Sequence, residues 1–325
     1  MTSTEPGTVL ITGPTRNLGR HATLALAERR ADLLLVGRAG PDLTVIASEA
    51  RARGARVREI GCDLSRLADV RAAAATVRDL LASGTVRPLR ALVANAGVMS
   101  ADTRRASADG YELTFAVNYL AHAQLIGDLL DSFTAPARVV LVGSNTYHAN
   151  LWRRMLHVPE ASWADPVELA RPAGGDTNPG MTEAGIAYSN AKLAILYYAH
   201  ELQRHVGAGI NVSVFEPGWM PGTALGRHAP QAFQAIGRAL GRVPGVSTPR
   251  RSGPLLAAVA VDEKWAHLRD GAFVVKTRLT NVRPVALDRD RERRLWTVTA
   301  ELLERADAAR IRTLHQDFPG PHRRA

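Results

Sequence analysis

The sequence predicts an α/β protein built on one doubly wound parallel sheet, and three observations carry that reading. Short, largely apolar runs of strand length recur along the chain, at Thr8–Ile11, Leu33–Gly37, Val57–Cys62, Leu89–Ala94, Arg138–Gly143 and Ile210–Phe215. Segments of helical period separate them, so each strand reaches the next through a crossover, the arrangement of a parallel sheet covered on both faces. The first run ends in a glycine-bearing turn, Thr12-Gly13-Pro14-Thr15-Arg16-Asn17-Leu18-Gly19, that leads directly into the helical pattern His21–Arg29. A strand, such a turn and a helix is the order in which backbone N–H groups at a helix N-terminus receive a phosphate.

Composition narrows the class. The 325 residues suffice for one large core, and with no internal repeat or linker a single domain spanning residues 1–325 is expected. No run of eighteen apolar residues exists, and Met1–Gly7 has neither the charged nor the apolar region of a signal peptide, so a cytoplasmic, soluble protein is expected. Cys62 is the only cysteine, which excludes an intramolecular disulfide framework and a Cys-cluster metal site. The formal charge of +10 comes from arginines scattered over the chain, without a basic run interleaved with aromatics. That pattern argues against nucleic acid or membrane and for anionic small ligands.

Taken in order, the elements place candidate site residues at strand ends. The second run, Leu33–Gly37, stops at Arg38. An acid there would hold a ribose hydroxyl, whereas an arginine accommodates a 2′-phosphate, and Arg16 is a second cation for the same corner. A helix from about Leu43 to Arg53 leads to Val57–Cys62 and then Asp63-Leu64-Ser65, where Ser65 reads as the cap of a helix from about Leu67 to Ala82. The fourth run ends in Asn95-Ala96-Gly97. A long helix follows to about Asp131, with Asn118 as a polar interruption in an apolar row, and Tyr119 and His122 beside it read as packing or interface residues. Ser144 stands at the carboxyl end of the fifth run, the side on which open α/β sheets bind ligands. Tyr188 and Lys192, four residues apart, stack on one helix face, where an ammonium can favour the phenolate and suit it to proton transfer. This lysine is one of only three in the chain.

Between Ser144 and Tyr188 lie 43 residues, an insert of about 145–186 that carries Tyr147, His148, Trp152, His157 and Trp163. Its aromatics suit an apolar substrate wall, while its two histidines lack a third ligand at metal-site spacing. After the sixth run come Glu216-Pro217-Gly218, with Trp219 and Met220 as further wall candidates. A proline- and glycine-punctuated stretch of about 219–250 reads as a helical substrate lid. A helix from about Gly253, a strand at Ala272–Val275 and a helix from about Asp288 to Ala308 close the fold, and the basic tail of about 310–325 is expected to fray. The charge run Asp288–Arg294 reads as a solvated face.

In combination, Thr12-Gly13…Gly19, Asn95-Ala96-Gly97, Asn118, Ser144 and Tyr188-x3-Lys192 resemble the short-chain dehydrogenase/reductase family over Thr8 to about Leu303. The long insert and the stretch Ala187-Tyr-Ser-Asn-Ala-Lys-Leu-Ala194 resemble its retinol dehydrogenase and protochlorophyllide reductase-like branch. The resemblance implies a Rossmann fold and a tetrad of Tyr188, Lys192, Ser144 and Asn118. In it Tyr188 transfers the proton, Ser144 orients the substrate oxygen, Lys192 holds the ribose, and Asn118 kinks its helix and positions a relay water. It also implies a nicotinamide cofactor held by Gly13, Thr15, Arg16, Asn17, Leu18, Gly19, Arg38, Asp63, Leu64, Asn95, Ala96, Gly97, Tyr188, Lys192, Pro217, Gly218 and Thr223, and the two arginines favour NADP(H) over NAD(H). Asn17 departs from the pattern, standing where the family has its middle glycine; asparagine is the other residue that tolerates a left-handed backbone.

The expected activity is NADP(H)-dependent hydride transfer at a carbonyl or alcohol carbon of a bulky apolar or aromatic molecule, with Ser144, Tyr147, Trp152 and Trp219 at the substrate. Reduction of a carbon–carbon double bond, and a non-redox isomerase, dehydratase or cofactor-binding role, remain open alternatives. No metal is expected. Because the insert can cover helices through which family members associate, a monomer or homodimer is expected rather than a tetramer.

Overall fold

The computed structural model describes residues 7–149, 159–177, 179–220 and 246–317. Eight strands form one sheet in the order β3-β2-β1-β4-β5-β6-β7-β8. They are β1 (Thr8–Thr12), β2 (Asp32–Gly37), β3 (Val57–Gly61), β4 (Leu89–Ala94), β5 (Phe133–Val142), β6 (Ile210–Glu216), β7 (Ala272–Val275) and β8 (Arg278–Leu279). The pairs from β3 through to β7 are parallel, and β8 returns antiparallel on β7.

The continuous apolar runs follow from burial on both faces. Successive side chains of a strand point to opposite sides of a sheet. Leu10, Leu34, Leu92 and Leu141 accordingly enter one core layer, with α3 (Leu67–Ala82) and α5 (Ala121–Leu129). Their neighbours Val9, Leu33, Val93 and Val140 enter the other, with α1 (Asn17–Glu28) and α2 (Pro41–Arg51). Chain order reverses direction between β1 and β4, which opens a crevice beyond the carboxyl ends of the strands.

The remaining helices frame that crevice. Between β4 and β5, α4 (Leu113–Phe115) widens into a π-helical turn (Ala116–Leu120) before α5. A short α6 (Pro166–Leu169) lies in the insert, and α7 (Met181–His205) carries Tyr188 and Lys192. α7 begins ahead of Ala187, so Met181–Ile186 belong to the helix and not to an irregular insert. Likewise α8 (Pro249–Val261) starts earlier than Gly253, because Thr248 caps it by accepting from the Arg251 N–H at 3.3 Å.

The last helix, α9 (Arg289–Asp317), keeps most of its charge run at the surface as expected, with one exception. Glu292 within that run is 2% exposed. Its carboxylate faces α7, 2.7 Å from His200 Nδ1, and pairs with Arg204. A buried carboxylate requires such partners, and they sit 92 and 88 residues away in sequence. Tyr119 packs as expected, its hydroxyl 2.6 Å from Thr299 Oγ1 of the same helix. Among the described residues no helix is long and apolar enough to cross a membrane.

Candidate active site

A cleft of about 2190 Å³ runs along the carboxyl ends of the strands. Gly13, Thr15, Arg16, Asn17, Leu18 and Gly19 line one end, with Arg38, Asp63, Leu64, Asn95, Ala96 and Gly97 beside them. The turn between β1 and α1 is shaped for a close-lying anion. Gly13 has φ +63, and Asn17 takes the left-handed conformation at φ 47 that its place in the turn demands. A Cβ on Gly19 would lie 2.1 Å from Gly13 O and 2.5 Å from Asn95 Nδ2, so helix and strand can meet this closely only with glycine there. No side chain caps the first turn of α1, which leaves its N–H groups directed at the cleft.

At the other end Ser144, Tyr188 and Lys192 line the same cleft with Tyr147, Pro217, Gly218 and Trp219. Lys192 is 3% exposed, and its ammonium donates to the Val142 carbonyl at 2.7 Å and sits 5.5 Å from the centroid of the Tyr188 ring. Burial lowers its pKa to about 8. Ser144 stands two residues beyond the end of β5 and caps the 3₁₀ turn Asn145–Tyr147, its Oγ accepting from Thr146 N at 3.3 Å.

Asn118 lies in the π-helical turn, fully buried behind the cleft wall. Its side-chain amide is committed to one residue: Oδ1 accepts from Val98 N at 2.7 Å and Nδ2 donates to Val98 O at 2.8 Å. The Asn118 main-chain carbonyl lies 3.0 Å from His122 Nδ1, and His122 Nε2 lies 2.9 Å from Thr12 Oγ1. The same Thr12 oxygen accepts from the N–H groups of Asn95 and Ala96, both at 3.0 Å. With two donors on that oxygen, the Thr12 hydroxyl must donate to Nε2, which fixes the proton of a neutral His122 on Nδ1. Burial lowers the His122 pKa to about 4, and the charge of Lys192 adds to the effect. His122 is therefore packed in the core, as expected, and is a hydrogen-bonding centre there as well.

Comparison with known proteins agrees with this geometry. A model of the short chain dehydrogenase family matches residues 7–153. Retinol dehydrogenase 13 of Mus musculus is 29% identical over 310 residues, covering 93% of this chain and 85% of the relative. Polyprenol dehydrogenase of Mus musculus is 30% identical over 316 residues, covering 90% and 82%. The chain belongs to the short-chain dehydrogenase/reductase family. Within it, the relatives put this short-chain dehydrogenase in the retinol dehydrogenase-like branch, among oxidoreductases of alcohols and carbonyls. A short-chain dehydrogenase of Burkholderia cenocepacia J2315, solved in complex with NADP, shares the fold with a TM-score of 0.62 at 21% identity, covering 84% of this chain and 96% of that chain.

The cleft of this short-chain dehydrogenase thus gathers the described residues expected at a site, save Asn118, which lies behind it and holds Val98. Trp152 and Thr223, and most of the expected lid, lie outside the described residues. Three expectations change in detail. Ser65 does not cap α3: its hydroxyl donates to Asp63 Oδ1 at 2.8 Å, and the Leu67 N–H is met by Asp109 at 2.9 Å. Tyr147 is buried with its hydroxyl accepting from Arg283 N at 3.0 Å, so besides lining the cleft it anchors the segment after β8. Arg16, offered as a phosphate ligand, pairs with Asp42 at 2.6 Å on the exposed rim. Sequence reasoning missed the hairpin contribution altogether: Lys276 and Thr280–Pro284 line the cleft. That segment has no periodic signal, and only the sheet order brings it to β6. Among the described residues no three His, Cys, Asp or Glu side chains gather as a metal site.

Proposed function

We propose that this enzyme is an NADP(H)-dependent oxidoreductase acting at a carbonyl or alcohol carbon of a bulky apolar or aromatic small molecule. The observation that carries the reading is the meeting of Tyr188, Lys192 and Ser144 at one end of a cleft whose other end is a phosphate-shaped turn. When bound, the nicotinamide accepts or supplies the hydride. The protein supplies position and field. Gly13 and Gly19 let the β1 to α1 turn lie against a pyrophosphate, and the N–H groups of α1 meet its charge. Tyr188 gives or takes the proton at the substrate oxygen, Ser144 donates a hydrogen bond to that oxygen, and the Lys192 ammonium stabilises negative charge developing on the phenol.

Preference for NADP(H) rests on Arg38, exposed at the end of β2 with no carboxylate in the place that would hold a ribose hydroxyl. The Arg16–Asp42 pair is exposed on both sides and weak enough to release Arg16 to a 2′-phosphate. The apolar substrate class follows from the exposed Trp219 and the Met181 and Val282 side chains at that end. We further propose a single domain, a cytoplasmic location, and a monomer or homodimer. For the last, the packing of α9 against α7 takes up helix surface through which copies could associate.

The test is binding of NADPH and NADH to the purified protein, followed by loss of 340 nm absorbance over a panel of aromatic and polycyclic ketones and aldehydes. NADPH binding with turnover, and Tyr188→Phe binding NADPH normally without turnover, is the expected result. A Tyr188→Phe variant at near-normal rate refutes the assignment of the proton donor.

A further inference from the structure

The loop Asn95–Val98 lines the cleft and is held at its two ends by different elements. At the first end Thr12 Oγ1 takes the N–H groups of Asn95 and Ala96, both at 3.0 Å, while Asn95 Nδ2 donates back to Thr12 O at 2.8 Å and Gly13 O at 3.1 Å. At the second end Asn118 closes on both main-chain groups of Val98. These two clamps belong to β1 and to the π-helical turn, which are 106 positions apart in the chain, at Thr12 and Asn118. One side chain touches both. The His122 ring accepts from the Thr12 hydroxyl on Nε2 and donates to the Asn118 carbonyl from Nδ1.

A bridge of this kind has a mechanical consequence. The Thr12 clamp sets how closely the loop lies to the phosphate-shaped turn, and the Asn118 clamp sets its distance from the end that holds Lys192. With a rigid planar ring between them, neither clamp can shift without the other. A water-sized or flexible substitute would let them move independently. An apolar ring of the same volume would in addition leave the Thr12 hydroxyl and the Asn118 carbonyl without their partner in a buried place.

We propose that His122 is a positioning residue: it locks the β1 clamp to the π-turn clamp and so fixes the Asn95–Val98 loop relative to both halves of the cleft. The proposal deepens the oxidoreductase reading and rests on it for its kinetic consequences. Three variants separate the two bonds. His122→Gln keeps an acceptor near the Nε2 position for Thr12, His122→Asn keeps a donor near the Nδ1 position for Asn118, and His122→Phe keeps neither.

The experiment measures amide hydrogen exchange at Asn95, Ala96 and Val98 in the intact chain, together with the Kd for NADPH, kcat on a carbonyl substrate found in the panel, and Tm. His122→Phe is expected to speed exchange at all three amides about tenfold and to weaken both Kd and kcat about tenfold, as the loss of one buried hydrogen bond on each side implies. His122→Gln is expected to retain slow exchange at Asn95 and Ala96 and a near-normal Kd while losing kcat. His122→Asn should retain slow exchange at Val98 and most of kcat while losing affinity for NADPH. A merely structural histidine predicts instead that all readouts fall together in the order of Tm, and that result overturns the proposal, as does unchanged exchange in His122→Phe. If the wild-type chain binds no NADPH or reduces no carbonyl, the oxidoreductase reading fails, and the exchange pattern alone then decides the role of His122.

Discussion

Acid should weaken this fold through His122 in a way that can be isolated. The imidazole is fully buried, and its pKa falls from 6.5 to about 4. Because the folded-state value is depressed, the unfolded chain binds the extra proton as pH drops below 6.5, and the folded state takes it up only near pH 4. Stability from this residue is therefore complete above about pH 6.5 and is lost on the way down to pH 4. Linkage between those two values gives a loss of about 2 kcal/mol at pH 5 and about 3 kcal/mol at pH 4, relative to pH 7.5. Acid also acts on ionised groups elsewhere in the fold, so the wild-type curve alone is insufficient. The informative quantity is a difference of differences: urea unfolding of wild type and His122→Gln, each at pH 7.5 and pH 5. The glutamine variant starts less stable but has no group to protonate at this place. Wild type is expected to lose about 2 kcal/mol more than the variant between the two pH values. Equal losses would mean that the ring does not stay neutral and enclosed, and the tautomer assigned from Thr12 would fall with it.

Three further outcomes follow from named contacts. Turnover should decline above about pH 8, where the buried Lys192 ammonium loses its proton, and a kcat profile flat to pH 10 would contradict its role as a cation. Gly19→Ala drives a methyl group into Gly13 O and Asn95 Nδ2, so unfolding stability should drop by roughly 1–3 kcal/mol and NADPH binding should be lost, as titration by fluorescence would show. Glu292→Gln removes the buried carboxylate that His200 contacts and leaves Arg204 with Glu201 alone, and should cost about 3 kcal/mol in urea unfolding while leaving the Kd for NADPH unchanged.

What the sequence makes legible is what neighbours in the chain decide. A strand buried on both faces is apolar at every position, so Leu33–Val36 and Ala91–Ala94 announce themselves. The turn before α1 is readable because its backbone needs special residues, and Asn17 satisfies that need at φ 47 where a glycine was expected. The Tyr188 and Lys192 pair is readable because four residues make about one helical turn. Other features depend on partners far off in the chain. His122 acquires its meaning from Thr12, 110 residues away, and Glu292 from His200, 92 residues away, so the first looks like packing and the second like surface charge. Ser65 is a plausible cap by its position, yet Asp109 reaches the Leu67 N–H first and Ser65 turns to Asp63.

The placement of the reacting groups depends less on the side chains themselves than on where strands stop. β5 pairs with β6 up to Val142 and Phe215, and the Val142 carbonyl at that last rung holds Lys192. Ser144 follows two residues later, so one strand end sets both the cation and the hydroxyl. β1 ends at Thr12, whose hydroxyl organises the exit of β4 at Asn95 and Ala96. A slip of one residue in either strand would turn every core side chain to the opposite face, from one apolar layer into the other, and would carry Val142 O away from the ammonium. The hydrophobic pattern that fixes the sheet register therefore also fixes the chemistry. The hairpin after β7 is free of that constraint, and its Lys276 and Thr280–Pro284 line the same cleft as Trp219. Substitutions there should change which carbonyl compound is accepted and leave the proton and charge relay at Tyr188 and Lys192 intact.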